Sequence, residues 1–289
     1  MIKKLAQIMA AAVVLAAVCA GIYWQMNGQR LREEYAAFKK TGAPVLMYHA
    51  VGPEAGADWP KSLIMPANLF EEHLKYLKSE GYTIISVEQL AARLEAGQSV
   101  DKYVALSFDD GYKDNYSVVL PLLKKYDAKA SFFVINKDLG DDIHMNEAEI
   151  KELIANGMEL GSHTYSHNPL AKIDEKYLVW ELDTSRFWLK KKFDGYIVRT
   201  LAYPNGSYND KVISEAKRYG FYRALTGHVG INTPVTYKVA PMEMYRVTVV
   251  ADDGNGLEGF KERLERAYLF GFLQTKGIDI NIVRDIFVR

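Results

Sequence analysis

From Pro44 onward, two kinds of apolar pattern alternate along the chain. Short blocks of large or β-branched residues read as buried strands at Val45–Tyr48, Tyr82–Ile85, Tyr103–Phe108, Ala130–Ile135, Met158–Leu160, Thr200–Tyr203, Tyr222–Leu225 and Tyr245–Val250. Between them lie stretches with apolar residues every third or fourth position. These predict helices from Asn68 to about Glu80, from Ser86 onward, over Asn115–Tyr126, Asn146–Asn156, Asp174–Phe193 and Asn209–Tyr219, and from Leu257 to about Phe270. Asn68 with Glu71 and Ser86 with Gln89 read as capping boxes, and Gly157 as a helix stop. Strand–helix alternation without an internal linker or repeat predicts a parallel sheet, open or closed, with its ligand site at the carboxyl ends of the strands.

The first 43 residues follow a different pattern. Lys3 and Lys4 precede an uncharged apolar run from Leu5 to Trp24, the layout of a secretory signal or, given Tyr23 and Trp24 at its end, of an uncleaved membrane anchor. Either reading places the body outside the cytoplasm, at the cell surface or secreted. Residues 25–43 carry Leu31, Tyr35 and Phe38 at helical spacing and read as a stalk or docking helix. Residues 44–270 form the catalytic body and 271–289 a tail of unassigned role.

Charge changes the picture by exclusion. Lys plus Arg and Asp plus Glu both total 36 in 289 residues, so no net field recruits nucleic acid. The single cysteine, Cys19, lies in the apolar run, so the body has neither a disulfide nor a thiol nucleophile.

Candidate chemistry gathers at the predicted strand ends. Ser107-Phe108-Asp109-Asp110-Gly111 puts two carboxylates at the end of the Tyr103–Phe108 strand, where the turn at the glycine lets one bind a cation while the other moves a proton. Gly161-Ser162-His163-Thr164-Tyr165-Ser166-His167 places two histidines four apart; a helical turn would bring both to one metal. Zinc proteases carry their base after the first such histidine, but that position is Thr164 here, so Asp109 or Asp110 must supply it. Two histidines and one carboxylate leave positions open for water and substrate. Tyr203-Pro204-Asn205-Gly206 ends another strand in a turn that can offer a backbone N–H to a developing oxyanion, and His49 ends the first strand.

These segments resemble the polysaccharide deacetylases (carbohydrate esterase family 4, NodB-homology domains). Ser107–Gly111 is similar to the first motif, His163–His167 to the second and Tyr203–Gly206 to a variant of the third; Tyr112–Tyr116, Ala130–Val134 and Gly157–Gly161 also fit, and the likeness extends over about Pro44–Val250. Within the family the chain looks most like exported poly-N-acetylglucosamine deacetylases, whose acid histidine comes first in the chain, where Met47-Tyr48-His49 stands here. The resemblance implies an α/β fold, a deformed (β/α) barrel of about seven strands, and a divalent metal, usually zinc, on Asp110, His163 and His167. It further implies Asp109 as general base, His49 as acid and the Asn205 N–H as oxyanion donor, with Tyr203 beside it. The usual arginine of the third motif is replaced by Ala202, which leaves Arg199 or Arg246 to orient Asp109, and the fourth motif has no visible match. Trp59, in the loop Gly52–Pro66, is placed to stack on a sugar, whereas Trp180 and Trp188 on the long helix read as packing.

The expected activity is metal-dependent removal of N-acetyl groups from an N-acetylglucosamine-containing polysaccharide. An O-acetyl esterase and an inactive glycan-binding relic are the alternatives. Two histidines and a carboxylate also suit Co2+, Ni2+ or Mn2+, and oligomeric state is not legible.

Overall fold

The computed structural model describes residues 27–52, 63–251 and 255–278. It divides into two units, Met1–Lys39 and Lys40–Arg289. In the first, residues 27–39 form helix α1, which carries i,i+4 pairs such as Arg30 Nε to Glu34 at 2.8 Å. The expected signal or anchor segment lies outside the described residues, and among the described residues no helix is long and apolar enough to cross a membrane.

The second unit opens with β1 (Val45–Tyr48), β2 (Ala50–Val51), β3 (Ile64–Met65), α2 (Ala67–Ser79), β4 (Thr83–Ile85), α3 (Val87–Glu95) and β5 (Tyr103–Phe108). A π-helical turn (Asn115–Val119) leads into α4 (Leu120–Lys125), followed by β6 (Ser131–Val134), α5 (Glu147–Ala155), β7 (Glu159–Ser162), α6 (Glu175–Lys192), β8 (Thr200–Ala202) and α7 (Asp210–Arg218). The last elements are β9 (Arg223–Leu225), α8 (Pro234–Val239), β10 (Val247–Thr248) and α9 (Gly256–Thr275). Helix α9 continues past Phe270, with Gly271 and Phe272 buried in it.

The main sheet runs in the order β10-β1-β5-β6-β7-β8-β9, with β4 beside the first half of β5, and its pairs are parallel. One extended segment nearly joins its two edges. Met244 bridges Leu225 of β9, and a few residues later β10 pairs with β1 through Leu46–Val247 and Met47–Thr248. The result is a deformed (β/α) barrel with its strand ends on one rim. Strands wrapped on both faces must be apolar throughout, which is why β5 and β6 read as continuous apolar blocks. Against α2, Tyr48, Phe108 and Phe132 stack at centroid distances of 5.4 and 5.1 Å, and Phe70 of that helix meets the first two edge-on.

Side-chain caps set the starts of α3, α5, α7 and α8. Ser86 Oγ accepts the Gln89 N–H at 3.2 Å, and Gln89 Oε1 accepts the Ser86 N–H at 3.0 Å. The box expected at Asn68 does not form. Pro66, with φ fixed at −56° and no N–H to satisfy, occupies the N-cap position of α2 instead. The helix expected from Asn115 starts as a π turn, because Pro121 has no N–H to donate to Ser117 and the α ladder is already broken there.

Close strand contact also constrains composition. Gly161 on β7 lies opposite Phe133 on β6, and a Cβ there would sit 2.3 Å from the Phe133 ring. Gly161→Ala is therefore expected to cost about 1–3 kcal/mol through overpacking and to lower Tm by several degrees in a thermal scan. An unchanged Tm would mean that this face tolerates a methyl group.

Candidate active site

Asp109 and Asp110 leave the end of β5 in different directions. The Asp109 N–H extends the ladder by bonding the Tyr48 carbonyl at 3.0 Å, whereas Asp110 takes a left-handed φ of 74° before the chain turns at Gly111. Asp109 is only 2% exposed, and a carboxylate so buried stays ionised only with a partner. Arg246 is that partner: Nη1 lies 2.8 Å from Oδ1 and 2.7 Å from Oδ2, while Nε donates to the Thr226 carbonyl at 2.8 Å. The Arg246 N–H bonds the His228 carbonyl at 2.9 Å, so both backbone and side chain of this residue are fixed in the segment that joins the barrel edges. Burial pushes the Asp109 carboxyl up, but Arg246, His163 and His49 together hold it below the ordinary carboxylate range.

Asp110 has different hydrogen-bond partners, although both carboxylates lie within 4 Å of His163 Nε2. Asp110 Oδ2 accepts from the Tyr112 hydroxyl at 3.0 Å, and its buried Oδ1 has no hydrogen-bond partner. That oxygen lies 3.5 Å from His163 Nε2 and 3.6 Å from His167 Nε2, and one ligand atom from each of the three residues falls within 4.8 Å of the others. His163 Nδ1 lies 2.8 Å from the Ala202 carbonyl, a contact that needs the proton on Nδ1 and leaves the Nε2 lone pair pointing at Asp110. Ligand bonds of about 2.0–2.2 Å in a tetrahedron imply ligand separations of about 3.3–3.6 Å. The orphan oxygen, the imposed tautomer and these distances fit a divalent cation. Burial above all pulls His167 below the usual imidazole range and so favours the neutral, ligating form.

The two histidines do not meet by way of a helical turn, as their spacing suggested. Residues 163–167 form an irregular loop in which Thr164 (φ 68°) and His167 (φ 60°) are both left-handed. The reversal, and not a helical period, aims both rings at Asp110. Such backbone persists only where its surroundings impose it. The Thr164 N–H bonds Ser162 Oγ at 3.1 Å, and the His167 N–H bonds Thr164 Oγ1 at 3.1 Å.

His49 follows β1 and is half-buried. Its carbonyl accepts Asn115 Nδ2 at 3.0 Å; Asn115 also bonds Asp114 Oδ1 at 2.8 Å, and Asp114 Oδ2 takes the Val51 N–H at 2.9 Å. The π turn thus fastens the His49 loop to the end of β5. Burial pulls the His49 imidazole down, Asp109 and Asp110 oppose this, and Arg246 and His163 add to it.

Asn205 is exposed and left-handed (φ 54°), three residues beyond the Ala202 carbonyl that holds His163. Two other expected residues lie elsewhere. Tyr203 is 0% exposed, its ring stacks on Tyr208 at 4.8 Å, its N–H is committed to the Leu225 carbonyl, and its buried hydroxyl has no hydrogen-bond partner. Arg199 precedes β8, at the opposite end of the strands, and pairs with Glu88 at 3.0 Å, so it cannot orient Asp109. Trp59 lies outside the described residues. Trp180 is exposed and rests edge-on against Tyr165 at 4.3 Å.

The structure adds residues that the motifs did not single out. Tyr112 and the pair Asp114–Asn115 stand in a stretch whose family likeness was visible without their roles. Glu181 falls on the buried stripe of α6 with Leu178, Leu182, Ser185 and Leu189, and a charge on an apolar stripe was its one signal.

Comparison with known proteins places this site in a family. Residues 96–224 match the polysaccharide deacetylase model. The chain is 31% identical over 210 residues to YxkH of Bacillus subtilis, a protein described as a polysaccharide deacetylase, spanning 70% of this chain and 72% of that one. It is 28% identical over 174 residues to a poly-β-1,6-N-acetyl-D-glucosamine N-deacetylase of Staphylococcus aureus, covering 55% of this chain and 60% of that protein. Among solved structures, the Streptococcus pyogenes deacetylase PplD in complex with acetate superposes with a TM-score of 0.68 at 29% identity, over 78% of this chain and 99% of that one. IcaB from Ammonifex degensii superposes with a TM-score of 0.64 at 25% identity, over 76% and 97%. With its paired aspartates and its histidine pair gathered on one barrel rim, the chain belongs to the polysaccharide deacetylase family and is a hydrolase.

Proposed function

We propose that the chain is an exported, metal-dependent deacetylase that removes N-acetyl groups from an N-acetylglucosamine polymer and releases acetate. The observation that carries this reading is the division of labour between adjacent carboxylates: Asp109 is held ionised by Arg246, while Asp110 Oδ1 is left for a cation beside two imidazoles. The Staphylococcus aureus relative acts on such a polymer, which supports the substrate class. The basic, then apolar, N-terminal run from Lys3 to Trp24 supports export to where such polymers lie.

Asp110, His163 and His167 would hold a divalent cation, with zinc the first choice, and such an ion would supply Lewis acidity toward the acetamide carbonyl and toward water. Asp109, kept ionised by Arg246, takes the proton of the attacking water. The Asn205 N–H, at the rim turn after β8, donates to the oxygen that gains charge. An amine leaves only when protonated, and His49, on the neighbouring strand end, delivers that proton as the C–N bond breaks. Burial makes its imidazolium a stronger acid. Base and acid thus come from different strands, with opposite pKa demands met in one site.

The test is acetate release. The chain is stripped of metal, reloaded with zinc, and incubated with N-acetylglucosamine oligomers while acetate and new amines are counted. Equal yields of acetate and amine, present only with metal, support the proposal. Turnover of acetylated xylan without acetamide cleavage would assign the site to ester hydrolysis, and zinc binding without turnover of either substrate would overturn the enzymatic reading.

A further inference from the structure

The loop that bears His167 is held by backbone bonds from the Asn136 and Lys137 N–H groups to the Thr164 and Tyr165 carbonyls and by side chains of α6. Glu181 lies in the middle of α6 and is 1% exposed. Its Oε2 accepts the Tyr165 N–H at 2.9 Å and the Ser166 N–H at 2.8 Å, and its Oε1 accepts from Ser166 Oγ and from Asn168 Nδ2 at 3.0 Å. These four donors belong to three of the residues immediately flanking His167 and are neutral. One turn further along α6, Ser185 Oγ lies 2.9 Å from Ser162 Oγ, which in turn holds the Thr164 N–H, and the Ser185 carbonyl accepts Asn136 Nδ2 at 2.9 Å. Helix α6 therefore grips the loop at both ends, and Glu181 makes most of the contacts.

We propose that Glu181 is a positioning residue for the cation site: its carboxylate replaces the missing ladder partners of Tyr165 and Ser166 and so imposes the left-handed reversal that presents His167 to Asp110. Two observations support this role over generic packing. An α-helix interior rarely spends a carboxylate on its buried stripe, where a leucine would satisfy the core, unless polar groups opposite need it. The loop also holds two non-glycine residues in left-handed backbone, a conformation that surrounding contacts must stabilise. A carboxylate can accept from all four donors at once; a carboxamide has one acceptor oxygen, so either the two backbone N–H groups or the Ser166 and Asn168 side chains must face its N–H2. The proposal rests on the assignment of Asp110, His163 and His167 to a cation.

The test measures metal affinity, not turnover. Zinc is titrated against a chromophoric chelator in the presence of the 289-residue chain carrying Glu181→Gln, Ser166→Ala or Glu159→Gln. Glu159 serves as a comparison because it too is a buried carboxylate, bonded by Ser131 Oγ, Thr200 Oγ1 and the Glu88 N–H, but at the opposite end of the strands. Glu181→Gln is expected to weaken zinc binding about 10–100-fold, the usual effect of losing a group that orients a ligand. Ser166→Ala, which removes one donor and leaves the carboxylate, is expected to weaken it by a smaller factor and covers the case in which Glu181→Gln does not fold. Glu159→Gln is expected to lower Tm without changing zinc affinity. Unchanged affinity in Glu181→Gln and Ser166→Ala, or an equal loss in Glu159→Gln, would overturn the positioning role alone. A parent chain that binds no divalent cation would overturn the metal assignment beneath it.

Discussion

Asp109→Asn is expected to reduce acetate release by about 10²–10⁴-fold while leaving zinc binding within a small factor of the parent chain. The substitution keeps shape but removes the basic lone pair, so water attack loses its proton acceptor. Asp110, His163 and His167, which would hold the cation, are untouched, and Asp110 Oδ1 keeps its place between the two Nε2 atoms. Measuring kcat and metal affinity on the same preparation separates the two roles of the carboxylate pair. A variant that loses zinc in parallel with activity would show that Asp109 is a ligand, and full activity would remove it from the mechanism.

Replacing Arg246 with Met should have the second largest effect, and it should be seen in stability as well as rate. Arg246 and Asp109 are both about 3% exposed in their side chains, and removing one member of such a pair strands a buried charge, at a cost of about 3–5 kcal/mol. The sign with pH follows from the carboxyl. In the parent chain its folded pKa is depressed, so the pair stabilises above the unfolded value of about 3.9 and that contribution is lost as pH falls through the folded value. Without Arg246, burial dominates and the folded pKa rises. The variant's stability deficit should then be largest near neutrality and shrink on acidification as Asp109 protonates. The acid limb of kcat/KM should move to higher pH for the same reason. Urea denaturation at several pH values, beside a pH–rate profile, checks both. A deficit independent of pH would mean that the arginine acts through packing of its stem and not through the carboxylate.

The alternation of apolar blocks and amphipathic stretches was enough to predict the parallel sheet and the helices that wrap it, because strand interior and helix stripe have different periods. Local side-chain chemistry determined the Ser86–Gln89 box and the Asn146 cap, where Asn146 accepts the Ala148 and Glu149 N–H groups. Asp109-Asp110-Gly111 and His163–His167 carried the family likeness because each cluster is contiguous in the chain. Other features depend on contacts between distant residues, which periodicity does not record. Whether Arg199 or Arg246 met Asp109 was settled by the segment that crosses from β9 to β1, since barrel curvature puts residue 246 at the strand ends and residue 199 at their starts. Tyr203 stood in a motif, but the strand's alternation turned its ring into the core. The histidine pair was legible as a pair, yet its geometry was not. Four donors converging on Glu181 from a loop more than a dozen residues away hold a left-handed turn where spacing alone suggested a helix. What the sequence determined by itself was therefore the set of chemically competent residues and the elements that carry them. Which of those residues face one another was decided by closure of the sheet and by buried polar groups seeking partners.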